Sequence, residues 1–476
     1  MEPKVRSALV DLLGEARVQP DPDLSEVLVV SANAVSDVQG ILSIARHNGV
    51  PCLPKADGLP RRGLVAPEGG GLRIDLMGMN RVLEVNHSER YAVIEPGVTW
   101  QHLADRLAED GRDLQLPTAA APGHLSVWAS SLMDGAGGLA LSHGGLGRLV
   151  WGVEAVLVSG EVIRTGAGSA AGGWWGRGPL PDLTGLFLGW RGATGLVTRL
   201  AISLRARKKH QRRLIFPASH RRTAVAGAIR LSREGLFDEA SVLPWTLPRV
   251  LMGLRGYFQR QQGEPEGYLH VDFTADTLPE LEYKRLRLSN ALAQASRRGG
   301  SFGHPVTLED LASMGEPLEG LRDLPLRLVI DEGDDEVLSG LGFHGPTSGL
   351  VDVAAQVEEA FEAQGLSAVI LVRPVHGAHS GIVHAFVACP WGECDTDSPE
   401  DRSKREQLSR IGMAQERGME EALELGFVPH RYPPELGRLV TAKMHPGSHR
   451  LALRLRRLLD AEALLDPARW GLVRPA

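Results

Sequence analysis

Three histidines crowd one stretch of the chain, Val375-His376-Gly-Ala-His379-Ser-Gly-Ile-Val-His384, and a fourth, His344, lies in Gly342-Phe-His-Gly-Pro-Thr347. Imidazole titrates near neutrality, so these residues suit proton abstraction from a bound substrate. A metal trio is a second option. No carboxylate at a fixed helical spacing accompanies them, and Cys389 and Cys394 lack a matching second pair, so no metal site is expected. A purely structural role is the third reading, because the uneven spacing does not oblige His376, His379 and His384 to share one strand face. His379 is the candidate catalytic residue of this group. Other chemistry is missing: there is no G-x-G-x-x-G after a strand, no Walker lysine loop and no G-x-S-x-G elbow. The acidic run Asp331-Glu-Gly-Asp-Asp-Glu336 lacks the spaced ligands of an EF-hand and reads as a solvated turn.

The elements around these residues fall into two blocks. Val5–Leu13 reads as a short amphipathic helix. Val27–Val30 is an apolar run of strand length, Ser36–His47 a helix with Ser36 as candidate N-cap, and Val50–Leu53 a second strand after an Asn48-Gly49 stop. Strand–helix–strand order is typical of an α/β cofactor domain. Leu72–Leu76, Val82–Val85 and Tyr91–Glu95 are strand-like, and Thr99–Leu107 is a helix capped by Thr99. Val153–Val158 and Glu161–Thr165 form a hairpin about Ser159-Gly160. Gly195–Leu204 closes the first block, and the Gly- and Trp-rich stretch 166–181 is an ordered loop at best. The basic run Arg205–Arg213 reads as a solvated connection. Beyond it, strands at 268–273, 326–331 and 367–372 alternate with helices at 278–295, 350–364 and 403–425, which suggests a sheet covered on one face by helices. Arg450–Leu459 is a last amphipathic helix.

A chain of 476 residues is too long for one core. With 43% hydrophobic and 23% charged residues it is an ordinary globular protein, so disorder and fibrous repeats are excluded. The net charge of -6 offers no general attraction to nucleic acid or anionic lipid. Three cysteines make a poor disulfide framework. No signal-peptide core and no bilayer-length apolar run is found, so a cytoplasmic location without a membrane span is expected.

The wording of several segments goes further than periodicity. Met79-Asn-Arg-Val-Leu-Glu-Val-Asn86 followed by Tyr91-Ala-Val-Ile-Glu-Pro-Gly-Val-Thr-Trp100, then Gly152–Gly166, Asp182–Leu188, Gly192-Ala-Thr-Gly-Leu-Val-Thr198 and the closing Leu458–Gly471 resemble, in order, the vanillyl-alcohol oxidase and p-cresol methylhydroxylase flavoproteins. Glycolate oxidase and D-lactate dehydrogenase flavoprotein subunits are similar too. The resemblance implies an α+β fold: a two-part FAD-binding domain over 1–205, and an α/β cap over 206–440 with an antiparallel sheet covered by helices. A C-terminal helix, 441–476, would return to the FAD domain.

It also implies a site. An FAD diphosphate is approached by backbone N–H groups, which glycine-rich loops permit. The first loop would supply Lys55, Ala56, Asp57, Gly58 and Leu59. The second would supply Pro117, Ser126, Val127, Ala129, Ser130 and Gly137, with His143 beyond it. Gly192, Gly195 and Val197 stand where the family contacts its flavin. Departures occur at Ala56-Asp57, in place of the usual glycines, and at Trp128-Ala129, in place of a common Gly-Gly pair. Where phenol-oxidising members carry a substrate-binding Tyr–Arg pair, this chain has His430 and Arg431, with Tyr432 one step later, and Arg61 replaces a loop tyrosine. Catalytic roles therefore fall to His379, His430 and Arg431, and substrate contacts to Arg61, Tyr432 and His344. Such a pocket suits a carboxylate better than a neutral phenol.

The expected activity is FAD-dependent oxidation of a small alcohol, 2-hydroxy acid or aromatic alcohol or phenol by hydride transfer to flavin. An electron-transfer or sister subunit and an oligomeric state are expected alongside. The alternative is a scaffold subunit with a degenerate FAD site, paired with an active flavoprotein. A third reading is a transferase or lyase that keeps flavin as a structural ligand.

Overall fold

The computed structural model describes residues 3–22, 26–55, 70–110, 114–116, 123–132, 140–190, 192–248, 260–297, 299–307, 310, 336–375, 379–390 and 398–465. The helices are α1 (Pro3–Leu13), α2 (Val35–Asn48), α3 (Trp100–Glu109), α4 (Val127–Leu132), α5 (Ala140–His143), α6 (Arg221–Glu234), α7 (Leu278–Ser296), α8 (Leu350–Glu362), α9 (Pro399–Glu424), α10 (Gly437–Lys443) and α11 (Pro446–Leu459). None of them is long and apolar enough to cross a membrane.

Two sheets share the first core. β1 (Val18–Pro20), β2 (Val27–Ser31), β3 (Cys52–Lys55) and β4 (Gly71–Asp75) form one, in the order β1-β2-β4-β3, with β4 parallel to both β2 and β3. Such strands, buried on both sides, must be nearly continuous in apolar residues, as Val27-Leu-Val-Val30 is. Helix α2 buries Val38, Ile41, Leu42 and Ala45, the i, i+3, i+4, i+7 row, and ends on Gly49 at φ 64. Its cap differs from expectation. Ala34 is the N-cap, and Ser36 lies inside the helix; the carboxylate of Asp37 instead reaches back to accept the Asn33 N–H at 2.9 Å. Thr99 caps α3 as expected, accepting from the His102 N–H at 3.1 Å.

The second sheet is antiparallel. β5 (Val82–Asn86), β6 (Tyr91–Ile94), β8 (Val150–Val156), β9 (Val162–Arg164) and β10 (Leu196–Ser203) lie in the order β5-β6-β10-β8-β9. A short ribbon of β7 (Leu114–Gln115) and β11 (Arg205–Ala206) follows. After α11 the chain comes back to the first sheet, where the Cys52 N–H donates to the Leu464 carbonyl at 2.7 Å.

The third sheet has eight antiparallel strands: β12 (His210–Ala218), β13 (Glu239–Pro244), β14 (Gly267–Ala275), β15 (Val306–Thr307), β16 (Glu336–Gly345), β17 (Val369–Val375), β18 (Ser380–Pro390) and β19 (Val428–Arg431), in the order β15-β12-β14-β13-β17-β18-β16-β19. Antiparallel partners point to the same side and alternate along each strand, so the register sorts the side chains. One face carries Val242, Leu269, Val271, Val372, Val383, Ala385, Leu341 and Phe343, packed under α6, α7, α8 and α9. The opposite face carries polar rows. Arg213 is paired with Asp272 and Asp272 with Glu239; His270 is paired with Ser241; Gly342 is paired with both His384 and Arg431. This face meets the first domain, where Ala140 of α5 packs on Val375 and Ile382.

The basic run at 205–213 is an exposed connection over 206–209, as expected, but its end differs. It feeds β12, and Arg213 turns onto the polar face to bind Asp272 at 2.9 Å. The expected sheet with helices on one face is present. The strand expected at 326–331 and the acidic turn up to Asp335 lie outside the described residues.

Charges buried on that face are paired. Arg373 binds Glu239 at 2.7 Å, each side chain 4% exposed, while burial pushes the Glu239 carboxyl up against the pull of that guanidinium. His270 contacts Ser241 Oγ through Nδ1 at 3.2 Å. Burial, helped by Arg213 and Arg373, pushes His270 down to about 3. It stays neutral in the folded protein while an unfolded chain protonates it below its ordinary value. Stability contributed by this residue is thus complete above about pH 6.5 and lost as pH falls toward 3. Replacing His270 with Gln should make the acid-side fall of unfolding free energy shallower by about 1.4 kcal/mol per pH unit in that window, read from denaturant titrations.

Candidate functional site

Glycines set the backbone on the first-domain side. Gly192 and Gly195 adopt φ values of 93° and 148°, the range that favours glycine. A Cβ on Gly192 would lie 2.6 Å from Pro54 Cγ, and one on Gly195 would lie 3.2 Å from the Val156 carbonyl oxygen, Leu157 and Phe187. The turn 192–195 is thereby pressed against the end of β3, where Lys55 pairs with Asp75 at 3.1 Å. Helix α4 is anchored from below: Ser126 Oγ donates to the Pro96 carbonyl at 2.6 Å and accepts from the Ala129 N–H at 3.2 Å. The Val127 N–H donates to Val98 at 3.0 Å, and Ser130 Oγ donates to the Ser126 carbonyl at 3.0 Å.

Trp128 links these pieces. It is buried in the first core, and its indole N–H donates to the Val197 carbonyl at 3.0 Å. Lys55, Ser126, Val127, Ala129, Ser130, Gly192, Gly195 and Val197 thus line connected parts of one domain. His143 ends α5, the helix whose first residue touches the cap. Ala56, Asp57, Gly58, Leu59, Arg61, Pro117 and Gly137 lie outside the described residues.

The cap contributes a basic cluster. The register of β16 on β19 slips between Gly342 and Phe343, which gives β19 one extra residue there. Adjacent strand residues ordinarily point to opposite sides; the bulge lets His430 and Arg431 both lie over Gly342. A Cβ at Gly342 would meet His384 Cδ2 at 2.8 Å, His430 Cε1 at 2.8 Å and Arg431 Cβ at 3.0 Å. His384 Nε2 and His430 Nε2 are 3.1 Å apart, so one ring donates and the other accepts. The His344 ring centroid is 5.7 Å from that of His430, and the Arg431 guanidinium sits 5.1 Å over the Phe386 ring. Burial holds His384 well below its ordinary value, reinforced by His430, Arg431, Arg373 and His344. It is a neutral imidazole in an electropositive corner.

The structure therefore brings His344, His430 and Arg431 together and adds His384. Spacing along the chain gave no reason to choose His384 over its neighbours; only its register opposite Gly342 does. His379 is exposed at the start of β18, apart from this cluster. Tyr432 is buried in the apolar core of the cap, and His376 lies outside the described residues. Among the described residues, no group of three or more His, Cys, Asp or Glu is arranged to hold a metal ion. Ile382, two residues before His384 on the same face, packs on Ala140. The cluster thus lies about 7 Å along the strand from the first domain.

Comparison with known proteins agrees with this layout. Residues 27–166 match the FAD binding domain family. An uncharacterised FAD-linked oxidoreductase of Mycobacterium tuberculosis is 33% identical over 204 residues, which are 42% of this chain and 42% of that protein. The glycolate oxidase subunit GlcD of Bacillus subtilis is 30% identical over 177 residues, 37% of this chain and 36% of its own. The matches span less than half the length of these relatives. The structure of p-cresol methylhydroxylase with substrate bound superposes with a TM-score of 0.80 at 17% identity, covering 99% of this chain and 96% of that one. The chain carries an FAD-binding domain and has the p-cresol methylhydroxylase fold.

Tested against FAD, the residues fit in one respect and depart in another. The turn at Gly192 and Gly195 takes the positive φ that glycine-lined cofactor loops use, with its Cβ positions closed by Pro54, Val156, Leu157 and Phe187. The Val197 carbonyl, in contrast, already accepts from Trp128. Gly342→Val should displace His384, His430 and Arg431 together. We expect a stability cost of about 1–3 kcal/mol by denaturant titration.

Proposed function

We propose that this chain, an FAD-binding domain closed by the cap of the p-cresol methylhydroxylase fold, is an FAD-dependent oxidoreductase. Its substrate is a small anionic alcohol, with 2-hydroxy acids ahead of aromatic alcohols and phenols. The observation that carries the reading is the cluster of His384, His430 and Arg431 over Gly342, on the cap face that meets the FAD-binding domain. Arg431 is the only fixed cation of that trio. Its guanidinium pairs with a planar carboxylate through two parallel hydrogen bonds, which sets the orientation of the neighbouring C–OH. His430 takes the hydroxyl proton, and His384, held neutral, keeps the His430 ring in place. His430 is preferred to His379 as the base because it belongs to the cluster. FAD, when bound, supplies the acceptor for the hydride leaving the same carbon. The similarity to a glycolate oxidase subunit supports a hydroxy-acid substrate and a sister subunit or separate electron acceptor in an oligomer.

One observation favours a second reading. Trp128 occupies the Val197 carbonyl, as it would in a scaffold subunit that keeps the fold and pairs with an active flavoprotein. An absorption spectrum separates the two. The purified protein is expected to be yellow, and acid precipitation then tells bound from covalently tethered flavin. A colourless chain that ignores added FAD would establish the scaffold reading. For the holoenzyme assayed with glycolate and D-lactate, Arg431→Met is expected to lower kcat/KM about ten- to a hundredfold, the worth of charged hydrogen bonds. An unchanged kcat/KM on both probes would remove the anion role.

A further inference from the structure

Helix α11 has its apolar and buried sides in the wrong relation. It holds five leucines, at 451, 453, 455, 458 and 459, yet the only buried side chain in it is Arg456, which donates to the Leu465 carbonyl at 3.2 Å. Leu451 is 57% exposed and Leu458 80%. Leu451, Leu455 and Leu458 follow the i, i+4, i+7 row, with Leu451 and Leu458 exposed and Leu455 half-buried between them, so the two outer leucines carry one apolar stripe. Arg450, Arg454 and Arg457 follow the same spacing one residue earlier and form a second stripe beside it; all three are exposed and none is in an ion pair with a described residue. From Gly437 to Leu459 the chain has six Lys or Arg and no Asp or Glu, although the whole protein carries a net charge of -6.

We propose that the outward face of α11 docks the protein on an anionic lipid surface. The occupant follows from the two stripes together. Leucines at this exposure need an apolar medium, which a phosphate backbone of nucleic acid lacks. Three guanidinium groups need negative charge, and an identical α11 from a second copy would bring arginine against arginine. The headgroup–acyl boundary of an anionic bilayer supplies both, with leucines entering it and arginines meeting lipid phosphates. A helix lying in that plane needs no apolar run of membrane-spanning length, in agreement with the absence of such a helix among the described residues.

The test is co-sedimentation of the full chain with phosphatidylglycerol-rich vesicles and with pure phosphatidylcholine vesicles. Binding is expected on the first, weakened by molar salt, and not on the second. Arg450→Gln/Arg454→Gln/Arg457→Gln should weaken it roughly a hundredfold, at about 1 kcal/mol per arginine. Leu451→Ser/Leu458→Ser should abolish it while leaving circular dichroism and flavin content unchanged. Because every altered side chain is exposed, folding serves as a control, and either variant alone suffices if the other is unstable. No sedimentation with anionic vesicles, equal binding to both vesicle types, or binding that survives both variants would overturn the proposal. So would a self-associated species that disappears in Leu451→Ser/Leu458→Ser without any vesicle binding, since a second copy would then be the occupant.

Discussion

The two-sided sheet of the cap is the constraint on which the site depends. A sheet in this position must bury both faces, one under four helices and one against the FAD-binding domain. The helix side is met by ordinary apolar alternation. The other side carries charge, and charge is buried only when it is paired. Arg213 with Asp272 and Arg373 with Glu239 meet that condition. With those charges set in pairs, Arg431, His430, His344 and His384 gather around Gly342 on the same face.

Gly342 and the bulge in β19 are two halves of one device. The extra residue turns His430 and Arg431 to the same side, and the missing side chain makes room for them beside His384. Bulges commonly re-aim side chains near functional sites. The Nε2–Nε2 contact then constrains the tautomers: a donor on one ring requires a lone pair on the other. Burial, with the neighbouring His430 and the surrounding arginines, keeps His384 neutral.

On the other side, the first domain holds the glycine turn tightly and uses Trp128 in an unusual way. Substituting an indole for a small residue would be expected to crowd a cofactor cleft. Here the ring is absorbed into the core and its N–H is satisfied by Val197. That hydrogen bond ties α4 to β10 and takes one of the two lone pairs of the Val197 carbonyl.

The order and type of elements were legible wherever a period ran long enough to be read. The apolar row of α2, the Thr99 cap and the Ser159-Gly160 hairpin are local, because short-range hydrogen bonds and one buried face determine them. The segment wording that resembles the flavoproteins likewise pointed to the FAD-binding domain and the fold. Three things could not be read this way. Ser36 is not the cap because the helix already starts at Val35, where the Asp37 carboxylate holds the Asn33 N–H of the entering chain. The inward turn of Arg213 at the end of the basic run was hidden because its counter-charge, Asp272, lies some sixty residues away. His384 rather than His379 joined the cluster because strand register decides which residues face each other. Residue types and local periodicity are properties of neighbours in sequence, so the chain alone determined its domains' character and the supply of histidine and arginine. Pairing between distant strands, a bulge and an empty Cβ position exist only once the sheet has formed, and they decided which of those groups meet.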